Sequence, residues 1–388
     1  MNSSHKIAGH TLTLLRNGEE YFPRLIAALD DATHSIYLET YIYAADASGQ
    51  MISAALKRAA RRGVQVRLLL DGFGSAELPR AWEEELQAEG VAVMWFRKEV
   101  GRFSFHRYHL RRLHRKLALI DGRIAFVGGI NIIKDNPARI NAPRLDYAVQ
   151  IEGEVVRDIH AAMQRLWTLI SWTNFHKRGM RKKIRLPARD SIQHKVIFLV
   201  RDNFRHRREI EHAYLKAIAD ARHEIIIANA YFLPGRRFRR ALLDRARAGV
   251  RVVLLLQGRV EYRLQHYATL SMYDEFLRAG VEIYEYQDSF MHAKVAVTDG
   301  AWATVGSSNI DPFSLWLARE ANLAVHDAGF AASLREDLLM QIEHHSRRIF
   351  RTGWREWNVF LWLLMRISYG IARILTGILG RAKGRDDI

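Results

Sequence analysis

Cysteine is absent from this 388-residue chain, which excludes disulfides and thiolate zinc sites. Acidic residues are in deficit: 42 Asp and Glu stand against 59 Lys and Arg, a formal charge of +17. That excess calls for a polyanionic partner, either nucleic acid or an anionic membrane surface. Residues 1–17 contain no apolar run of the kind a signal peptide or spanning helix needs. No cluster reads as a metal site either, since His106, His109 and His114 are interleaved with Arg and lack neighbouring acids. No metal and no cofactor is therefore expected. Apolar residues, by contrast, make up 49% of the chain, enough for a real core. The length suits two domains or one large pseudo-symmetric unit.

The chain repeats its own plan. In the first half an amphipathic stretch (19–32) leads to a strand (34–43), a helix (51–62) and a second strand opening at Gly63 (63–71). In the second half a helix (209–222), a strand (223–231), a helix (238–248) and a strand opening at Gly249 (249–257) follow in the same order. Each half continues with a further strand, 91–96 and 281–286, and then a motif strand. Alternating strands and helices predict an α/β fold. The expected form is two similar halves, each a largely parallel sheet covered by helices, related by a pseudo-twofold. The expected boundaries are 1–175 and 191–350 for the halves, a basic linker at 176–190, and a separate C-terminal segment at 351–388.

The chemistry sits in two copies of one pattern. The first runs His114-Arg-Lys116-Leu-Ala-Leu-Ile-Asp121, followed by Gly128, Gly129 and Asn131. The second runs His292-Ala-Lys294-Val-Ala-Val-Thr-Asp299, followed by Gly306, Ser307, Ser308 and Asn309. Every residue of the first copy precedes its counterpart by 178 positions. On a strand, residues i and i+2 share a face, so each His and its Lys point together. Asp121 and Asp299, grouped with them as the third motif residues, lie seven positions on from the His. That odd offset turns them away and gives them a structural or orienting role rather than proton transfer. Gly129 lets backbone approach a phosphate, with Ser307 at the matching place, and the Asn131 and Asn309 amides can donate to its oxygens.

Phosphodiester cleavage needs a nucleophile, a proton for the leaving alkoxide, positive charge on the non-bridging oxygens, and order. One His and one Lys cannot meet all of these; two facing copies can. One imidazole attacks phosphorus and the other protonates the leaving oxygen. The two Lys and two Asn hold the phosphoryl oxygens. A nucleophilic imidazole also needs an acceptor on its other nitrogen. Asp146 lies 32 residues after His114 and Glu320 lies 28 after His292, both just before an apolar strand. They are the candidate orienting acids. Symmetry leaves open which His attacks.

The paired His-x-Lys-x4-Asp pattern resembles the signature of the phospholipase D superfamily. Nearly the whole chain is similar to the bacterial cardiolipin synthases, most of all the B type. The segments carrying this are 15–21, 112–116, 124–131, 145–149, 227–232 and 303–312. The resemblance implies a phosphatidyltransferase. One His takes the phosphatidyl group from phosphatidylglycerol, releasing glycerol, and the phosphohistidine is intercepted by a second phosphatidylglycerol to give cardiolipin. It implies His114 as nucleophile and His292 as acid and base. It also implies a peripheral enzyme at the bacterial inner membrane, cytoplasmic side. Some family members carry N-terminal membrane spans, and none is seen here.

The alternatives are a phosphodiesterase acting on phospholipid or nucleic acid, and a lipid-binding scaffold with a dead site. Basic residues mixed with aromatics at 96–113 serve lipid or nucleic acid alike. The segment 357–379 favours lipid and disfavours nucleic acid. It is mostly apolar, with Arg366 and Arg373 on one edge. Spanning a bilayer would bury both, at roughly 2.5–3.5 kcal/mol each. A helix lying in the interface leaves them at the headgroups, and packing on the protein's own core is the other option.

Overall fold

The computed structural model describes residues 4–98, 111–136, 140, 142–174, 195–202, 206–311, 314, 318–351, 365–368 and 370. The basic linker, most of the basic-aromatic segment and most of the C-terminal segment lie outside the described residues. The first half contains β1 (Ser4–Ile7), β2 (His10–Arg16), α1 (Asn17–Asp30), β3 (Ser35–Thr40), α2 (Ala47–Arg61) and β4 (Gln65–Asp71). It continues with α3 (Arg80–Ala88), β5 (Ala92–Phe96), β6 (Lys116–Ile120), β7 (Ile124–Gly128), β8 (Tyr147–Glu152) and α4 (Val156–Asn174). The second half has β9 (Val196–Arg201), α5 (Glu209–Asp220), β10 (Glu224–Asn229), α6 (Arg236–Arg247), β11 (Arg251–Gln257), α7 (Arg263–Leu270) and α8 (Tyr273–Arg278). It ends with β12 (Glu282–Tyr286), β13 (Lys294–Thr298), β14 (Trp302–Gly306), β15 (Glu320–His326), α9 (Ala328–His345) and β16 (Ser346–Ile349).

Each half is built on one eight-stranded sheet, ordered β1-β2-β8-β7-β6-β3-β4-β5 and β16-β12-β11-β10-β13-β14-β15-β9. The fold is α/β with two alike halves, but the sheets are mixed rather than largely parallel. Only β3-β4-β5 and β10-β11-β12 run parallel. Those are the strands joined through helices, as a parallel crossover requires. The motif strands β6 and β13 return through tight turns to β7 and β14 and pair antiparallel with them.

Apolar residues of β6–β8 and β13–β15 pack against each other across the pseudo-twofold, joined by α4 and α9, in one central core. Two outer cores lie under α1–α3 on one side and α5, α6 and α8 on the other. The motif strands are therefore buried on both faces, which explains their continuous apolar runs. Buried polar contacts also join the halves. Tyr147 donates its hydroxyl to Asp337 Oδ2 at 2.5 Å, and Arg16 donates to Asp337 Oδ1 at 2.9 Å. In the C-terminal segment, Met365 packs into the second half's outer core, while Ile367 is exposed. Packing on the protein therefore accounts for that one turn.

One buried charge pair belongs to the first half alone. Arg115 donates from Nε to Glu39 Oε2 at 2.7 Å and from Nη2 to Glu39 Oε1 at 2.8 Å, both side chains almost fully enclosed. Burial pushes the Glu39 carboxyl up, and Arg115 opposes it. Strand register places Ala228 and Ala293 at the matching positions of the second half. The same backbone thus accepts either solution. Removing one member strands a buried charge, which costs about 3–5 kcal/mol, whereas replacing both with apolar groups of similar volume is close to neutral. Arg115→Met is expected to lower unfolding stability by that amount, and the double variant Glu39→Leu/Arg115→Met to recover most of it. Chemical denaturation of the four proteins in the cycle checks this; equal losses in the single and double variants would contradict it.

Candidate active site

The site forms where the two motif strands begin. Just before β6, Leu113 bridges Arg319, and just before β13, Met291 bridges Leu145. His114 N–H donates to Arg319 O at 3.0 Å, and His292 N–H donates to Leu145 O at 2.8 Å. Each motif is thus stitched to the segment carrying the other half's acid. The orienting acids are consequently crossed. His114 Nδ1 lies 3.0 and 3.1 Å from the two oxygens of Glu320, and His292 Nδ1 lies 2.6 Å from Asp146 Oδ2. Order along the chain would have matched each acid with the His of its own half. A carboxylate can only accept, so each Nδ1 carries the proton and each Nε2 is left with its lone pair.

The lysines turn back along their strands. Lys116 Nζ donates to His114 O at 2.7 Å, and Lys294 Nζ donates to His292 O. Both are buried. The Tyr41 ring tilts over His114 at a centroid distance of 4.9 Å, with Lys116 Nζ 5.2 Å from its centre. Burial sets the electrostatics. It pulls Lys116 down to about 7 and Lys294 to about 8, with acids nearby opposing it. Burial, then the two lysines and the other imidazole, holds His292 well below its ordinary value. Burial also lowers His114, against the pull of Glu320. It raises Asp146 to about 6, with Lys294 opposing.

The grouping of Asp121 and Asp299 with the catalytic His and Lys is corrected. Asp121 ends β6 at the far end from His114 and accepts the backbone N–H groups of Thr33, His34 and Ser35, each at 2.8 Å. Asp299 does the same for Arg222, His223 and Glu224. Burial is outweighed by those donors, and Asp121 is held down to about 2. Both lock the turn to the neighbouring strand and stand outside the site. Gly129 answers to the acid rather than to backbone–phosphate approach: a Cβ there would fall 2.2 Å from Asp146 Oδ1. At the matching place Ser307 Oγ donates to Glu320 Oε2 at 2.5 Å. Asn131 Oδ1 accepts Ile42 N–H at 3.1 Å, which leaves its amide nitrogen for another partner. Asn309 Oδ1 has no hydrogen-bond partner among the described residues.

Two positioning residues escaped the sequence reading. Asp71 Oδ2 accepts Leu113 N–H at 2.7 Å, and Gln257 Oε1 accepts Met291 N–H at 3.0 Å. Each holds the residue immediately before a motif His. Their signal was present, since both are the single polar residue closing matching apolar strands. Tyr41 gave no comparable signal. Among the described residues no group of three or more His, Asp and Glu is placed to hold a metal ion.

Two alike α/β halves that bring paired His-Lys strands and crossed acids into one cleft define a two-motif phosphodiester-transfer enzyme. The family model described as the cardiolipin synthase, phospholipase D-like domain matches residues 25–167 and again 214–341. The chain is 40% identical over 340 residues to cardiolipin synthase B of Escherichia coli, covering 85% of this chain and 80% of that protein. It is 33% identical over 360 residues to a cardiolipin synthase of Geobacillus kaustophilus, covering 88% and 69%. The fold is also that of phosphatidylserine synthase from Haemophilus influenzae, with a TM-score of 0.68, 14% identity and coverage of 95% and 94%. The chain belongs to the cardiolipin synthase family of the phospholipase D superfamily.

The shifted groups dictate a pH profile. Asp146 must be ionised to accept from His292. Its value is raised to about 6, so activity is lost as pH falls below about 6. Lys116 must be charged to hold a phosphodiester, and its value is lowered to about 7, so binding weakens as pH rises past it. A plot of kcat/KM, which reports free-enzyme groups, is expected to be a narrow bell with limbs near pH 6 and above pH 7. Its acid limb belongs to the His292–Asp146 pair as a unit. Asp146→Asn should remove that limb and cut the rate on the order of a hundredfold. A flat profile from pH 5 to 9 would refute the assignment.

Proposed function

We propose that the enzyme moves a phosphatidyl group from one phosphatidylglycerol to a hydroxyl of another, giving cardiolipin and glycerol. The crossed imidazole–acid pairs carry this reading, because they leave two Nε2 atoms in one cleft with separate tasks. His114 Nε2 attacks phosphorus and the bond to the glycerol oxygen breaks. His292 gives its Nε2 proton to that oxygen, and glycerol leaves. The hydroxyl of the second lipid then gives its proton to His292 and attacks phosphorus. The P–N bond breaks and His114 is restored. Lys116 and Lys294 face the non-bridging oxygens, with the Asn131 and Asn309 amides beside them. An anionic phosphodiester also relieves the mutual repulsion of the four basic groups, raising the fraction of His292 that holds a proton to give.

The enzyme is peripheral in this reading, on the cytoplasmic side of a bacterial inner membrane. No helix among the described residues is long and apolar enough to cross a bilayer. Exposed Phe73, Val260 and Tyr262 follow the strand ends held by Asp71 and Gln257, and Arg112 lies 4.7 Å over the Phe73 ring. Such a rim suits insertion at an anionic surface, with the site mouth facing the lipid.

Purified enzyme on phosphatidylglycerol vesicles should give cardiolipin and glycerol, with phosphatidic acid a minor product by mass spectrometry. His114→Ala and His292→Ala should each lose about a thousandfold in rate, and mixing the two should restore nothing. Mainly phosphatidic acid, or faster cleavage of single-stranded DNA than consumption of phosphatidylglycerol, would overturn the synthase reading. Exhaustive EDTA should leave the rate intact; loss restored by one added metal would show that the charge stabilisation has another source.

A further inference from the structure

The halves differ most where the site opens. Register places Ala230 of the second half at the position of Tyr41 in the first. Four residues past the matching strand ends stand Ser75 and Glu261. In the first half that corner is closed. Ser75 is buried, donates to Tyr41 O at 2.9 Å and accepts Tyr43 N–H at 2.9 Å, while the Tyr41 ring covers His114. In the second half the small Ala230 leaves a pocket lined by Tyr231, Gln257, Glu261, Tyr262, His266 and Thr269. The space that a water-sized group can occupy in it is about 30 Å³.

Two residues of its lining, Ala230 and Gln257, hold the backbone on either side of His292. Ala230 N–H donates to Ala293 O at 2.9 Å, and Gln257 Oε1 accepts Met291 N–H. Glu261 lies close enough to Lys294 to help keep it charged. Tyr231 donates its hydroxyl to Glu261 Oε2 at 2.5 Å and is its one hydrogen-bond donor among the described residues. Gln257 Nε2 has no partner among the described residues. The pocket thus offers a carboxylate acceptor and an amide donor, while Arg259, which also lines it, donates from Nε to Gln287 O at 2.6 Å. A carboxylate is the wrong sign for the phosphodiester the lysines hold. It suits a ligand with O–H groups to give.

We propose that this pocket is the alcohol subsite, and that it binds the vicinal diol of a glycerol headgroup through Glu261, Tyr231 and Gln257. The proposal rests on the phosphatidyl-transfer reading and deepens it. In an in-line displacement and its reverse, the leaving alcohol and the incoming hydroxyl occupy the same place, opposite the attacking nitrogen. A subsite beside His292 makes that imidazole the one that protonates the first alcohol and deprotonates the second. His114, across the cleft under Tyr41, is then the nucleophile. Sequence symmetry alone left that choice even.

The test is a competition within one tube. Phosphatidylglycerol vesicles are supplied with enzyme and equal concentrations of 1,2-propanediol and 1-propanol, and the two phosphatidyl-alcohol products are compared by mass spectrometry. The wild type should favour the diol by at least about tenfold, as a site built to hydrogen-bond a hydroxyl rejects the analogue lacking it. Glu261→Gln and Tyr231→Phe should each bring the ratio close to one. The ratio is internal to each sample, so a partly folded variant still reports it, and Tyr231→Phe keeps the ring in place. An unchanged ratio in both variants overturns the subsite. So does a wild type that, when ethanolamine replaces 1-propanol in the tube, prefers it to the diol, since Glu261 would then be reading an ammonium. If cardiolipin forms and the ratio is flat, the subsite alone fails. If vesicles give no phosphatidyl transfer at all, the function reading fails and the subsite falls with it.

Discussion

Two short backbone bridges, Leu113 to Arg319 and Met291 to Leu145, govern everything else in the site. Each joins the residue before a motif His to the residue before the opposite half's acid. The bridges hold only if the two sheets are already packed face to face, so the central core and the catalytic geometry form together. Asp71 and Gln257 fix the same two strand ends from the other side by accepting the Leu113 and Met291 amides. The His rings are therefore aimed by backbone held from two directions, and the acids need only lock the tautomer.

Burial gives the site its electrical character. Four basic side chains share a small enclosed volume, and each is pulled below its ordinary value largely by loss of solvent. Two buried acids, Asp146 and Glu320, match the two lysines in number, and each accepts from an imidazole. With the imidazoles neutral, two lysine and two carboxylate charges are held together where charge interacts strongly. A bound phosphodiester would add negative charge there and raise the proton affinity of the imidazoles and lysines around it.

The pseudo-twofold is kept in the backbone and broken in the side chains. Asp146 and Glu320 differ by one methylene, and the residue packed against each differs accordingly. Gly129 makes room for the shorter acid, drawn close to the chain, whereas Ser307 donates to the longer one. Glu39 and Arg115 fill with a charge pair the place that Ala228 and Ala293 leave small. Tyr41 closes one side of the mouth where Ala230 opens the other. The proposed two-step transfer would use such inequality, with one imidazole bonding to phosphorus and the other moving protons.

The sequence by itself determined the repeat, the α/β class, the twin His-Lys pairs and the candidate acids. Each of these rests on local geometry: side chains two apart on a strand share a face, and a constant offset of 178 repeats whatever that geometry does. Strand direction was misjudged because the tight turns after β6 and β13 reverse the chain without a crossover. The outward direction of Asp121 and Asp299 was legible from their odd offset, but their partners in the β3 and β10 entry turns were not. Only the tertiary structure decided which acid serves which His. His114 and Glu320 are 206 residues apart, and no local rule connects them. That pairing, the hidden Asp71 and Gln257 anchors, and the pocket beside His292 all depend on how one sheet lies against the other. Packing between distant strands settles that, and periodicity along the chain carries no record of it.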